Sequence, residues 1–407
     1  VSTTVVAVFA VVYLGMILGG LPFLQLDRTG VALLGAIAIV GLGVLTPEEA
    51  AQSIHLPTLL LLFSFMVISA QMRLGGFYTH VTLAIADLRV SPPALLAAVI
   101  AVVGVLSAVF SNDVICLAIA PVLADACLAR RLDPVPYLLG LACAANVGSA
   151  ATLIGNPQNM LIGQVLELSF SGYFLEAIVP VLLGLAATWG VISWQVRGRW
   201  RTVLEDPPPE RRQDLATYDR WQTGKGLVVA IALIGAFLLS DLPREVVALT
   251  GAGLLLMSRR LHSNKMLGLV DWELLILFIG LFVVNHALAQ TGLTERAVAA
   301  LADAGVPLAQ TGPLFVATLV LSNVVSNVPA VMLLLPAATE PFSGPMLALV
   351  STLAGNLLIV GSIANIIVVD AARRRGIAID WRTHARTGVP VTLVTLAITA
   401  AWFALRH

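Results

Sequence analysis

The residues of this chain with the chemistry to hold a ligand stand in two matched polar words set in apolar sequence. Phe110-Ser111-Asn112-Asp113 is followed by Pro121, and Val325-Ser326-Asn327-Val328 by Pro336, with the serines, asparagines and prolines at one common offset (326−111, 327−112, 336−121). Phe63 and Phe278 share it, within the apolar segments 59–71 and 274–286. An asparagine can coordinate a cation through its oxygen or hold an oxyanion through its nitrogen. Uncharged amides and hydroxyls in lipid-like sequence are costly unless they face protein, water or a ligand. Ser111, Asn112, Ser326 and Asn327 are therefore candidate substrate ligands, with capping of the local turns as the structural alternative. Such paired elements in corresponding positions of two halves point to the binding site of a membrane transporter.

Asp113 extends the first word where the second has Val328. It is an acid between two apolar runs, and desolvation favours its neutral form. It is the candidate proton carrier; the alternative is a cap on a helix beginning at Val114. A third and a fourth word follow, Gly155-Asn156-Pro157-Gln158-Asn159 and the weaker echo Gly361-Ser362-Ile363-Ala364-Asn365. The run Tyr137–Leu166 that encloses the third would be about 45 Å long as one straight helix, against the ~30 Å of a bilayer core. Gly155, Pro157 and Gly361 are read as helix breaks, and Asn156, Asn159, Ser362 and Asn365 as ligands lining them. Breaks expose helix N-termini suited to anionic or hydroxylated groups and carbonyls suited to cations. Asn323 and Asn356 are secondary candidates beside these words. His286 is a possible relay that equally suits an interfacial anchor. Cys116 could line the Asp113 site, but Cys116 and Cys127 would lie about 16 Å apart along one helix and cannot share one atom. Three cysteines in apolar surroundings suggest neither a disulfide framework nor a metal site.

The elements that must position these residues are those of an all-α polytopic membrane protein. Hydrophobic residues make up 58% and charged residues 11% of 407, too little charge for a water-soluble globule. The zero net charge gives no case for nucleic acid; the partner is the lipid bilayer. The apolar runs predict two inverted repeats with about ten transmembrane helices, two re-entrant helical hairpins and two broken helices. The first repeat spans 1–196, with its hairpin at about 94–130 and its broken helix at about 137–166. A cytoplasmic linker, 197–225, carries Pro207-Pro208-Pro209 and seven basic residues. The second repeat spans 226–407, with its hairpin at about 309–340 and its broken helix at about 346–372. Lys and Arg in the short loops predict both termini on the external face, and the first run reads as a permanent span. No nucleotide-binding loop occurs, so transport by this chain is secondary, and an ATPase would have to come as a separate subunit. No cofactor is called for.

Ser-Asn-Asp-Val followed by Ala-Pro, Ala-Thr-Leu-Ile-Gly-Asn-Pro-Gln-Asn, Ser-Asn-Val-Pro-Ala-Val and Ala-Gly-Asn-Leu together resemble the ion transporter superfamily. Within it they are closest to the arsenite/antimonite permease and citrate-permease-like branch, related to the divalent anion/sodium symporters. The resemblance covers nearly the whole chain. It implies inverted repeats whose Ser-Asn tips meet at the midplane, one central site lined by the four words, frequent homodimers and, in dicarboxylate members, an elevator motion. The sodium-coupled branch carries Ser-Asn-Thr in both tips; Asp113 and Val328 replace both hydroxyls here. That weakens sodium coupling, and a carboxylate at the tip repels a dianion. The expectation is proton-coupled efflux of arsenite or antimonite across a bacterial inner membrane, with H+ as coupling ion. The alternatives are a sodium- or proton-coupled permease for a carboxylate or inorganic oxyanion, and a sodium/proton antiporter.

Overall fold

The computed structural model describes residues 2–21, 24–201 and 217–406. Pro207–Pro209 of the expected linker lie outside the described residues. The second half begins earlier than the apolar run implies. Asp219 accepts from the Trp221 and Gln222 backbone N–H groups and starts a helix at Arg220, so the end of the polar stretch is the first turn of the span Arg220–Leu239.

The chain is a multi-pass all-α membrane protein. Among the described residues, seven helices are long and apolar enough to cross a bilayer. Val228, Ile231 and Leu239 stand exposed on Arg220–Leu239, as a lipid-facing surface requires. The one sheet among the described residues is a two-stranded antiparallel ribbon pairing Gly20 with Asp27 and Leu21 with Leu26.

Element order repeats between the halves. Ser2–Leu18, Arg28–Gly41 and Leu56–Leu74 correspond in order to Arg220–Leu239, Arg244–Leu256 and Trp272–Gln290. Each trio is followed by a short helix, Phe77–Ala86 or Leu293–Asp303, that the apolar runs do not reveal. Both turn in on a left-handed glycine, Gly76 (φ 70°) and Gly292 (φ 69°). Small helices at Pro47–Ser53 and Ser263–Leu267 were likewise hidden by their polar composition. Next come the hairpins, Pro92–Val109 with Asn112–Ala129 and Thr311–Val325 with Asn327–Leu334. The broken helices follow, Pro134–Ser149 with Pro157–Val165 and Ser343–Ala354 with Ile363–Arg373, and each half closes on a 26-residue helix, Phe170–Gln195 or Trp381–Arg406.

Packing is crosswise. Arg28–Gly41 lies along Trp272–Gln290 of the other half, and Arg244–Leu256 along Leu56–Leu74. A Cβ on Gly280 would come within 2.6 Å of the Ala32 backbone, so this crossing depends on glycine. The second arm of the first hairpin packs on Ile363–Arg373, and that of the second hairpin on Pro157–Val165. The closing helices pack on each other, tied by Arg406–Glu176 (3.1 Å) toward one end and by Thr387 donating to Gln195 (2.9 Å) toward the other. Such exchange of partners is the pattern of two halves related by a two-fold axis, and it brings both hairpins and both broken helices together.

Candidate functional site

Four helix N-termini open at the polar words. The second arm of the first hairpin begins at Asn112 after Ser111, and that of the second at Asn327 after Ser326. The second arms of the broken helices begin at Pro157 after Asn156 and at Ile363 after Ser362. Pro157 occupies the first helical position, where no backbone donor is needed. Asn156 caps that helix by accepting from the Asn159 N–H (2.9 Å). The breaks are wider than single kinks: residues 150–156 and 355–362 separate the arms, and the second break forms without a proline. Gly155 sits where a Cβ would lie 2.2 Å from the Ser149 carbonyl oxygen, and its own carbonyl accepts from the Asn112 N–H (3.2 Å).

Two residues that the sequence reading did not single out join the halves. Asn146, buried in Pro134–Ser149, donates to Asn356 Oδ1 (2.8 Å) and Asn365 Oδ1 (3.2 Å). Its own Oδ1 accepts from Asn112 Nδ2 (3.1 Å) and Ser362 Oγ (2.9 Å). Thr352, buried in Ser343–Ala354, accepts from Asn156 Nδ2 and Gln158 Nε2 (both 3.2 Å) and donates to Asn159 Oδ1 (3.2 Å). Asn146 and Thr352 are counterparts: 352−146, 362−156, 365−159 and 358−152 are one offset, 206. Within it, Asn159 Nδ2 donates to the Thr152 carbonyl (3.0 Å) as Asn365 Nδ2 does to the Leu358 carbonyl (3.0 Å). Each half thus hooks the broken helix of the other through one buried hub.

The remaining candidates divide. Asn323 donates to the Ala354 carbonyl (3.2 Å), and Asn356 is the partner of Asn146, so both belong to the network. Cys116 is buried one turn below Asn112. His286 lies apart, its Nε2 3.0 Å from Gln290 Nε2. A different histidine reaches the site: buried His384 of the last helix places Nε2 3.1 Å from the Asn356 carbonyl oxygen. Ser326 holds φ 77° and ψ 161°, a strained conformation for a residue with a Cβ, whereas Ser111 at the first tip is relaxed at φ −54°. Asp113 is half-buried in the first turn, and the helix starts before it, at Asn112, with no side-chain cap bond. The capping alternative for Asp113 therefore does not describe this structure.

The electrostatics are those of a neutral polar site. Asn112 Oδ1, Asn323 Oδ1 and Asn327 Oδ1 are buried without a hydrogen-bond partner among the described residues. They are acceptors, and a buried acceptor calls for a donor. No Lys or Arg occurs between 132 and 196 or between 297 and 372, the stretches that build both broken helices and the second hairpin. Among the described residues, no group of His, Cys, Asp and Glu is arranged to hold a metal.

A family model described as citrate transporter matches residues 10–354. The silicon efflux transporter LSI3 of Oryza sativa subsp. japonica is 29% identical over 96% of this chain and 95% of that protein. A putative transporter arsB of Dictyostelium discoideum is 22% identical over 92% and 87%. The solved structure of the YdaH transporter of Alcanivorax borkumensis, described as having an unusual topology, shares the fold with a TM-score of 0.54. It is 15% identical, with 98% of this chain and 96% of that one covered.

Proposed function

This chain belongs to the citrate transporter family and is a membrane transporter, and we propose that its substrate is a small, uncharged polyhydroxy acid exported in exchange for protons. Arsenous and antimonous acid are the members of that class we favour. The observation that carries the reading is the unpartnered set of buried amide oxygens, Asn112 Oδ1 and Asn327 Oδ1, one in each hairpin tip. A carbonyl oxygen needs a donor, and the hydroxyls of a neutral acid supply one. The lone pairs of the same hydroxyls suit the four helix N-termini. A citrate-like anion would need cationic partners, and the stretches that build the breaks contain none.

Asp113 adjoins Asn112 and has no hydrogen bond or ion pair among the described residues. We assign it the coupling proton: neutral when the site faces one side, ionised when it faces the other. The names of the rice and Dictyostelium relatives support the substrate class, and the family's description supports a carboxylate as the second reading. The bacterial inner membrane and external termini belong to the same proposal. Metalloid sensitivity and intracellular arsenic in an efflux-deficient host test it. The wild type should protect and Asp113→Asn, equally expressed, should not. No protection by a correctly inserted wild type would remove the metalloid reading and promote the carboxylate.

A further inference from the structure

A cavity of about 910 Å³ lies outside the central site, between the start of Thr311–Val325 and the end of Trp381–Arg406. Phe315, Phe342, Met346 and Phe403 line it, with Glu340 and Arg406 at its charged edge. The gradient follows from where these residues fall on their helices. Glu340 lies in the connection between two helices and Arg406 ends the last one, whereas Phe315 and Phe403 stand about one turn in from the ends of theirs. A charged rim above an aromatic floor reproduces the headgroup-to-acyl boundary of a membrane.

The two charges are not equivalent. Arg406 is already engaged, with Glu176 at 3.1 Å and the Trp402 ring at 5.2 Å, but it retains further N–H donors. Glu340 is exposed and has no basic partner among the described residues. Its counterpart at the hairpin offset (340−125) is Asp125, which Arg375 holds bidentately at 2.6 and 3.1 Å. One half satisfies this acid internally and the other leaves it facing a cavity. An anionic amphiphile there would oppose Glu340, a purely cationic one would leave the remaining N–H donors of Arg406 without an acceptor, and a zwitterion offers each its complement.

We propose that this cavity binds an amino-phospholipid, its ammonium on Glu340, its phosphate on Arg406 and an acyl chain between Phe315, Phe342 and Phe403. The site is independent of the central substrate and lies against the base of the second hairpin, where an occupant would bear on the movement of its tip.

Native mass spectrometry of the full chain, titrated with phosphatidylethanolamine or phosphatidylglycerol, tests this. The wild type should retain phosphatidylethanolamine in preference, by roughly fivefold, the upper range for one interfacial charge pair. Glu340→Gln should abolish the preference, and Ala404→Trp, which fills the cavity from an exposed position, should reduce retention of both lipids. Equal retention of the two lipids by the wild type would overturn the proposal. So would a preference that survives Glu340→Gln, or retention unaffected by Ala404→Trp in protein that unfolds at the wild-type temperature.

Discussion

Replacing the Thr352 hydroxyl with a methyl group tests whether the site is one network shared by both halves. Thr352→Val is close to isosteric, so packing is kept and the hydrogen bonds are removed. Three groups lose a partner: Asn156 Nδ2, Gln158 Nε2 and Asn159 Oδ1. Asn156 Nδ2 keeps Ser149 Oγ at 3.0 Å, so its loss is partial. Gln158 Nε2 and Asn159 Oδ1 have no other hydrogen bond among the described side chains, and both residues are buried. Two orphaned buried groups at about 1–3 kcal/mol each give about 2–6 kcal/mol of destabilisation. The cost falls on the contact between Pro157–Val165 and Ser343–Ala354. Thr352→Ser restores the hydroxyl and should recover most of the loss. The assays are thermal unfolding in detergent and substrate flux in reconstituted vesicles, on the three proteins side by side. Unfolding temperature and flux at wild-type values in Thr352→Val would refute the shared network. Equal damage in Val and Ser variants would assign the effect to packing.

Further consequences follow from the same geometry. Asn146→Ala should be more damaging than Thr352→Val, because four partners on three elements lose a bond at once; a flux measurement in membranes with matched expression checks the order. Ser326→Gly should raise the unfolding temperature, since a residue without a Cβ relieves strain of about 1–3 kcal/mol at the second tip, while Ser111→Gly should not. Gly155→Ala should abolish transport by driving a Cβ into the Ser149 and Ser107 carbonyl oxygens, a loss readable as flux in protein that still inserts. Arg375→Gln frees Asp125 and should loosen the contact between the first hairpin and Ile363–Arg373, seen as faster trypsin cleavage at Arg373 or Arg374.

Much of the site was legible because its signals are local. Asn156-Pro157 is a cap followed by a first-position proline, and the Ser-Asn tips repeat at one offset. The hubs were not legible, for two reasons. Asn146 and Thr352 differ in type, and they sit in the last turn of their helices, just before the breaks and not in the polar words that mark them. They are also out of step with the tips. The hairpin words match at 215 residues and the broken helices at 206, because the second hairpin arm and the first arm of the broken helix are shorter in the second half (Asn327–Leu334 and Ser343–Ala354 against Asn112–Ala129 and Pro134–Ser149), so a search at the tip offset pairs neither hub. His384 escaped because it lies in the first turns of a helix that reads as an ordinary span, and its partner is a carbonyl 28 residues away in sequence. Leu293–Asp303 buries none of its residues fully, and its apolar side chains (Leu293, Ala297, Val298, Leu301) are broken up by Thr294, Glu295 and Arg296, so it is an amphipathic helix that a search for continuous apolar runs passes over.

The most direct test of the account is arsenite flux in everted membrane vesicles energised to an acidic interior. The account predicts accumulation of arsenite that a protonophore collapses, that persists without sodium, that excess citrate leaves unchanged and that Asp113→Asn abolishes. Citrate accumulation under the same gradient, with arsenite excluded, would contradict it.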